Sequence, residues 1–290
     1  MSASKDIKEP TTRQRRKLRS HFGFSKLPFS KAMWATHMFD SQSQREMLGG
    51  LELWTEVHVI ALVVGEAGVG KSITLRRFVH ELDAPRFHVI DFDYLPTTPN
   101  GFLRSLSRKL GLPMRLHSTD LFDAAKAHLQ GYEQEHGPHP LVIIDNGEGL
   151  SGAILDLLRR MTCFDLDSED RFSLLLTGTE ELLIAMREVQ LAPLRSRIAY
   201  THVLRPFSLE DTRNYVQYHL TRAEVDPKLL TEDAIKRVFQ ASHGRPRAIN
   251  QLATQALIQA AVLGHEAIDG DFMRHLIAAH PLYQNQAQDR

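Results

Sequence analysis

The sequence predicts an α/β fold, in which a parallel sheet flanked by helices is followed by a small all-helical domain. Two observations support this fold class. Apolar, strand-like runs alternate with helical stretches as far as about residue 204, and only helical stretches follow from there. Strands that alternate with helices are typical of a parallel sheet, whose ligands bind at the carboxyl ends of the strands. We therefore expect a ligand-binding α/β part followed by a helical part.

The composition is that of a globular protein, with 42% hydrophobic and 24% charged residues in a chain of 290. No apolar run approaches the length of a membrane span, and the basic N-terminus has no apolar signal segment. We therefore expect a cytoplasmic protein that does not bind a membrane. The single cysteine, Cys163, cannot form an internal disulfide, and its neighbours Met161 and Phe164 indicate a small core residue.

Charge is concentrated at the N-terminus, although the whole chain has a net charge of zero. Residues 1–31 hold nine Lys and Arg against Asp6 and Glu9, which gives +7 there and −7 in the remainder. Such an arm is either a solvated tail or an electrostatic contact with nucleic acid or an acidic partner. The candidate DNA contacts in this arm are Arg13, Arg15, Arg16 and Lys17.

The first strand of the α/β part is followed by a glycine-rich loop and a helix, all within residues 57–78. The loop GEAGVGKS fits the pattern G-x-x-x-x-G-K-[ST], in which backbone N–H groups and the helix dipole bind phosphate. Lys71 is predicted to reach the β and γ phosphates of a nucleotide, and Ser72 to bind Mg²⁺. The predicted nucleotide contacts are Gly65, Glu66, Ala67, Gly68, Val69, Gly70, Lys71, Ser72 and Ile73.

The other elements of this part follow from periodicity and from turn residues. We expect a helix within residues 41–56, a strand within 86–94, a helix at 102–112 and a helix at 121–135. A turn marked by Pro96, Pro99 and Asn100 precedes the second of these helices. A third strand at 141–145, a helix at 153–161 and a fourth strand at 173–178 complete the prediction.

Two strand ends carry polar residues that suit nucleotide chemistry. Asp145 ends the run LVIID, the pattern of a Walker B strand, which aims a carboxylate at the metal beside a triphosphate. Thr177 lies near the end of the fourth strand, where its hydroxyl either touches the γ-phosphate or the attacking water, or simply caps the strand.

The helical part begins after residue 204. Helices are expected within 208–225, 231–242, 245–264 and 269–280, with Ser208, Thr231 and Asp269 as N-caps. The predicted organisation is a basic disordered arm (1–20), a nucleotide-binding α/β domain (21–204), a helical lid (205–281) and a polar tail (282–290).

Eight stretches between residue 21 and about residue 277 form a pattern more specific than the phosphate loop alone. They are HFGFSKLPFS, the helix with Arg45-Glu46, GEAGVGKS, LVIID, LLLTGTEEL, APLRSRI, LRPFSLEDTRNYVQYHL and ASHGRPRAINQL. With them the chain resembles the ExeA-type AAA+ ATPases, a group that includes the TniB and TnsC transposition regulators and, more distantly, MuB and IstB. The resemblance implies an AAA+ fold with a helical lid and with ATP and Mg²⁺ as ligands.

The resemblance also implies roles for three arginines. Arg247, in the Gly-x-Pro-Arg motif, corresponds to a lid residue that senses the γ-phosphate. Arg197 resembles the arginine finger that one subunit donates to its neighbour's ATP, and Arg195 is the alternative finger. A guanidinium suits both tasks because it offers a planar, always charged fork to phosphate oxygens. The structural alternatives are that Arg245 and Arg247 cap the lid helix and that Arg195 and Arg197 are a solvated pair.

The chain departs from the family pattern in two places. Walker B strands of the family end Asp-Glu, whereas Asp145 is followed here by Asn146, Gly147 and Glu148. An amide can orient a water molecule but cannot take its proton, so we expect slow hydrolysis unless Glu148 is a substitute base; otherwise Glu148 caps the next helix. We also expect the protein to lack the transmembrane and periplasmic regions of full-length secretion ExeA, which would favour the transposition branch.

The resulting hypothesis is an ATP-dependent, largely sequence-nonspecific DNA-binding regulator. It would oligomerise on duplex DNA as a ring or helical filament and recruit or activate a transposase. Arg104, Arg108 and Lys109 are predicted to contact DNA phosphates, or else form a solvated helix face. The alternative is an ATPase that assists assembly of a secretion or envelope complex. A small-molecule kinase is disfavoured, because no acceptor-site residues accompany the phosphate loop.

Overall fold

The computed structural model describes residues 19–30, 38–57, 59–92, 94–164 and 170–283. It divides into two compact units. The first is Gln42–Arg205, and the second is formed by the described residues on either side of it. None of the described helices is both long and apolar enough to cross a membrane.

The first unit is built on a parallel sheet of five strands in the order β2-β3-β4-β1-β5. The strands are β1 (Ile60–Val64), β2 (Phe87–Asp91), β3 (His139–Ile144), β4 (Ser173–Gly178) and β5 (Ile198–Val203). The predicted fold class is thus confirmed: a parallel sheet flanked by helices is followed by a helical C-terminal part. The sequence predicted only four strands. It missed β5, an edge strand whose residues alternate between half-buried and exposed.

Helices cover both faces of the sheet, as the two-sided burial of its strands requires. Along β1, Ile60, Leu62 and Val64 belong to one apolar cluster, whereas Ala61 and Val63 belong to another. The helices of this unit are α1 (Gln42–Trp54), α2 (Lys71–Glu81), α3 (Pro99–Lys109), α4 (Ser118–His136), α5 (Gly152–Met161), α6 (Glu180–Met186) and α7 (Ala192–Arg195).

Helix α3 begins earlier than predicted. Pro99 and Asn100, expected in a turn, lie in its first turn, and the Thr98 hydroxyl oxygen accepts a hydrogen bond from the Gly101 N–H at 3.1 Å. Proline suits the first helical position because the N–H it lacks has no partner there anyway. The short helices α6 and α7 were not predicted.

The second unit contains α8 (Leu209–Arg222), α9 (Glu232–Ser242), α10 (Pro246–Leu263) and α11 (Gly270–Ala279). The three predicted N-caps are confirmed, because Ser208, Thr231 and Asp269 each accept a hydrogen bond from a backbone N–H of the first turn. Phe24 and Phe29 are buried in the apolar cluster of this unit, although residues 21–41 were predicted to belong to the nucleotide-binding domain. The domain boundaries themselves stay a prediction.

Two of the stretches that carry the family resemblance, LRPFSLEDTRNYVQYHL and ASHGRPRAINQL, meet in the second unit. The Phe207 N–H donates to the Gly244 carbonyl oxygen at 2.8 Å. Gly244 has a φ of +70°, and a Cβ at this position would overlap the carbonyl oxygen of Phe207. The close backbone approach therefore excludes any side chain at position 244.

Replacing Gly244 with alanine is expected to lower the free energy of unfolding by about 3 kcal/mol, because strain at positive φ adds to a clash with backbone. Gly264→Ala is the matched control: its φ is +80°, but a Cβ there would meet open space. This control should lose about 1 kcal/mol. Urea denaturation followed by circular dichroism measures both, and equal losses would contradict the role given to the Phe207 contact.

Candidate nucleotide site

The phosphate loop connects β1 to α2, and its backbone conformation and close contacts explain why it contains glycines. Gly68 and Gly70 have φ of +82° and +113°, in the region that favours glycine. At Gly65, a Cβ would lie 2.6 Å from the carbonyl oxygen of Leu204. The loop therefore curls at the carboxyl end of β1 and leads directly into the first turn of α2, which begins at Lys71.

Lys71 is buried, and its ammonium group is held by the loop itself. Its Nζ donates to the carbonyl oxygens of Gly65 at 2.7 Å and Glu66 at 3.1 Å. Ser72 is exposed in the first turn of α2. Among the other predicted contacts, Val69 is buried, Ile73 is half-buried, and Glu66 and Ala67 are exposed.

Asp145 and Thr177 are brought together by the pairing of β3 with β4, in which Ile144 lies opposite Leu176. Asp145 is half-buried, and its Oδ1 accepts hydrogen bonds from the Asn146 N–H at 2.9 Å and from the Thr177 hydroxyl. Thr177 is fully buried and gives its only hydroxyl proton to this carboxylate. The structure therefore engages Thr177 with Asp145 instead of leaving its hydroxyl as a simple strand cap.

Asn146 and Glu148 follow β3 in a short turn. Asn146 is exposed and has φ 57° and ψ 43°, a left-handed conformation that asparagine tolerates better than most residues. Glu148 Oε2 accepts a hydrogen bond from the backbone N–H of Thr179 at 3.1 Å. Thr179 is the N-cap of α6. Glu148 therefore contacts the beginning of α6, and the interpretation that it caps the helix next in sequence was wrong.

Three polar residues that the sequence analysis did not single out also contact this region. Glu181, in the first turn of α6, accepts a hydrogen bond from the Thr179 hydroxyl. That bond, Glu181's own backbone N–H and the positive charge of Lys71 lower the pKa of the Glu181 carboxyl. Gln44 and Thr74 form a buried hydrogen bond beside the loop. Of these three residues, only Glu181 had a local signal in the sequence, the acidic pair Glu180-Glu181 that follows Thr179 at the end of the fourth strand.

The two candidate arginine fingers lie between α6 and β5. Arg195 is exposed in α7 and donates to the Met186 carbonyl oxygen at 2.6 Å. Arg197 donates to the Pro193 carbonyl oxygen at 2.8 Å and lies 3.3 Å from the sulfur of Cys163. Cys163 is half-buried, so the expectation of a core cysteine was wrong: its sulfur faces polar groups of Arg159 and Arg197.

In the second unit, the two arginines of the Gly-Arg-Pro-Arg stretch differ in their surroundings. Arg245 precedes α10, and its Nε donates to the carbonyl oxygen of Ser242, the last residue of α9, at 3.0 Å. This contact caps the carboxyl end of α9. Arg247 is exposed in the first turn of α10. Its role as a phosphate sensor stays a prediction.

The candidate DNA contacts are only partly within the described residues. Arg104 and Arg108 are exposed on α3. Lys109 is half-buried, with its Nζ 3.9 Å from an Asp91 carboxylate oxygen and 6.0 Å from the centre of the Phe92 ring. The other candidates lie outside the described residues: Arg13, Arg15, Arg16 and Lys17.

The fold and this site define a P-loop AAA+ architecture, and comparison with known proteins agrees. Residues 57–186 match a family model described as an AAA domain. Among curated proteins, the chain is 28% identical over 258 residues to General secretion pathway protein A of Aeromonas hydrophila. The alignment covers 86% of this chain and 46% of that protein, so the chain spans about half the length of this relative.

Three solved structures illustrate that similar folds occur in proteins that share little sequence with this chain. The ORC2 protein of Aeropyrum pernix has a TM-score of 0.63 at 15% identity, covering 88% of this chain and 73% of its own. Cdc6p of Pyrobaculum aerophilum has a TM-score of 0.60 at 16% identity, covering 84% and 69%. The RuvB Holliday junction branch migration motor of Thermotoga maritima has a TM-score of 0.52 at 16% identity, covering 90% and 72%. At such identities the likeness shows the fold alone.

Proposed function

We propose that this chain is an AAA+ ATPase that binds ATP and Mg²⁺ at the phosphate loop and hydrolyses ATP slowly. The single observation that carries this proposal is the loop itself. Gly68 and Gly70 have the positive φ angles with which a loop can turn its N–H groups toward an anion, and Lys71 is held there by two loop carbonyls. Bound phosphates would offer this buried ammonium group charged oxygens in place of neutral carbonyls, which is a stronger interaction.

The metal would be held by Ser72 and Asp145, because a hydroxyl and a carboxylate are the oxygen ligands that Mg²⁺ takes. When bound, Mg²⁺ supplies charge that neutralises the phosphates. Thr177 and the Asn146 N–H both donate to Asp145 and so fix the orientation of its carboxylate. Thr177 is therefore assigned a positioning role through Asp145.

Hydrolysis requires a water molecule to attack the γ-phosphorus while the bond to the bridging oxygen of ADP breaks and the water proton is accepted. Asn146, where the family has glutamate, cannot accept that proton. Glu148 is a carboxylate, but one of its oxygens is taken by the Thr179 N–H. This arrangement supports slow turnover and a long-lived ATP-bound state.

Assembly completes the proposal, because Arg197 would reach the ATP of a neighbouring subunit. Arg197→Ala is expected to leave ATP binding by the monomer nearly unchanged and to lower turnover at high protein concentration by about 100-fold or more. Arg195→Ala is the matched variant and should have a much smaller effect. Rates measured over a range of protein concentrations test this. A larger effect of Arg195→Ala would make Arg195 the finger, and no effect of either variant would contradict donation in trans.

As its partners we propose duplex DNA and a transposase, which the chain would recruit or activate while assembled as a ring or filament. The exposed Arg104 and Arg108 and the basic arm support contacts to DNA phosphates without sequence readout. Such binding weakens steeply with salt.

The second candidate is assistance in building a secretion or envelope complex. It is favoured by one observation, the similarity to General secretion pathway protein A over 86% of this chain. It predicts ATP binding without salt-dependent retention of DNA.

One experiment separates the two candidates. Duplex DNA retention is measured with a non-hydrolysable ATP analogue at several salt concentrations from about 50 to 200 mM. The DNA proposal expects retention that falls steeply with salt and is weakened in the Arg104→Ala, Arg108→Ala double variant. The matched control is Arg237→Ala, an exposed arginine of the helical unit. Nucleotide binding without DNA retention at the lowest salt would contradict the DNA proposal and support the second candidate.

A further inference from the structure

Helix α1 precedes the phosphate loop in sequence and buries one polar residue. Its buried positions are Gln44, Met47, Leu51 and Trp54, which lie on one face of the helix. Three of these four side chains are apolar, and Gln44 is only 5% exposed. Burying an amide is unfavourable unless it is hydrogen-bonded, so the reason for a glutamine here lies in its partners.

The partners of Gln44 lead to the phosphate loop. The Gln44 Nε2 donates to the Thr74 hydroxyl oxygen at 3.1 Å, and that hydroxyl donates to the Gly70 carbonyl oxygen at 3.0 Å. Gly70 has the most positive φ of the loop, +113°, and immediately precedes Lys71. A Cβ at Gly70 would lie 3.4 Å from Gln44 Nε2. The Gln44 amide therefore lies beside Gly70, at the turn that leads from the loop into α2.

The first turn of α1, which contains Gln44, is itself held in place by a hydrogen bond from the segment that follows β5. The Ser43 hydroxyl oxygen accepts a hydrogen bond from the Arg205 N–H at 3.0 Å. The neighbouring Leu204 N–H donates to the Val64 carbonyl oxygen at 2.8 Å, and the Leu204 carbonyl lies against Gly65 at the other end of the loop. Both ends of the loop are thus held by contacts from outside it.

We propose that Gln44 is a positioning residue for nucleotide binding, which holds the Gly70 turn through Thr74 so that the loop N–H groups and Lys71 are preorganised for phosphate. This inference rests on the proposed function. A binding site gains affinity when its bound conformation is already fixed in the free protein. Gln44 would then act on ATP affinity without touching ATP.

The test uses two nearly isosteric variants, Gln44→Leu and Thr74→Val, which keep the packing and remove the hydrogen bonds. Each should raise the Kd for a fluorescent ATP analogue about tenfold, in a protein whose thermal midpoint without nucleotide shows that it is still folded. The double variant should also show about a tenfold change, because both substitutions break one chain of bonds. Gln42→Ala is the matched control. This exposed glutamine of α1 donates a hydrogen bond to Glu46, and its replacement should leave the Kd unchanged.

The outcomes separate this inference from the proposed function. If the parent binds ATP and both variants bind it equally well, Gln44 does not position the loop. A lower thermal midpoint with an unchanged Kd assigns Gln44 a structural role only and overturns the inference. If Gln44→Leu does not fold, Thr74→Val alone decides between these results. A parent that does not bind ATP would overturn the proposed function itself.

Discussion

Replacing Asn146 with glutamate is expected to raise the rate of ATP hydrolysis by about 100-fold or more, because a positioned general base contributes about 10² to 10⁴-fold. The substitution would give this strand the Asp-Glu ending that the resemblance to ExeA-type ATPases implies. It also places a longer side chain on a left-handed backbone, at φ 57°. That strain lowers stability without lowering the chemical rate, so the thermal midpoint is measured beside steady-state turnover.

Asn146→Gln is the matched control for this prediction. Its side chain has the length of glutamate and meets the same backbone strain, but it cannot take a proton, so turnover should stay at the parent level. Glu148→Ala should change turnover little, since its carboxylate oxygen is bonded to the Thr179 N–H. A parent that hydrolyses ATP briskly and loses this activity in Glu148→Ala would show that Glu148 is the base.

Replacing Lys71 with alanine is expected to weaken ATP binding by about 100-fold or more. A hydrogen bond to a charged group contributes about 1.5–3 kcal/mol, and each 1.4 kcal/mol is a factor of ten in affinity. Two such contacts, to the β and γ phosphates, would be lost together. Equilibrium binding of a fluorescent ATP analogue measures the change.

The control for Lys71 has to account for its bonds within the loop. Removing its contacts to the Gly65 and Glu66 carbonyls also affects the nucleotide-free protein, so the thermal midpoint without ATP is compared in both proteins. Lys228→Ala, an exposed lysine of the helical unit, should bind ATP as the parent does. Unchanged ATP binding by a folded Lys71→Ala protein would mean that the loop is an ordinary glycine-rich turn.

The parts of the fold that the sequence predicted are those with strong local signals. Continuous apolar runs identified β1, β3 and β4, and Ser208, Thr231 and Asp269 marked the helix starts of the second unit. Strand β5 was missed because its alternating burial and its edge position weaken the apolar signal. The start of α3 was misplaced because proline is common both in turns and at the first position of helices.

The candidate site was predictable only where its chemistry lies within one motif. The glycines and Lys71 of the phosphate loop form a contiguous pattern, whereas Thr177 meets Asp145, 32 residues away in sequence. Gln44 reaches Thr74 across 30 residues. No local periodicity indicates such contacts, because they arise only from strand pairing and from the packing of α1 beside the loop.

The most direct test of the account is the assembly state of the parent protein with a non-hydrolysable ATP analogue and duplex DNA, measured by analytical ultracentrifugation and electron microscopy. The account predicts monomers without nucleotide, and rings or helical filaments on DNA when the analogue is bound, with assembly impaired in Arg197→Ala. A parent that binds the analogue and stays monomeric in the presence of DNA would contradict it.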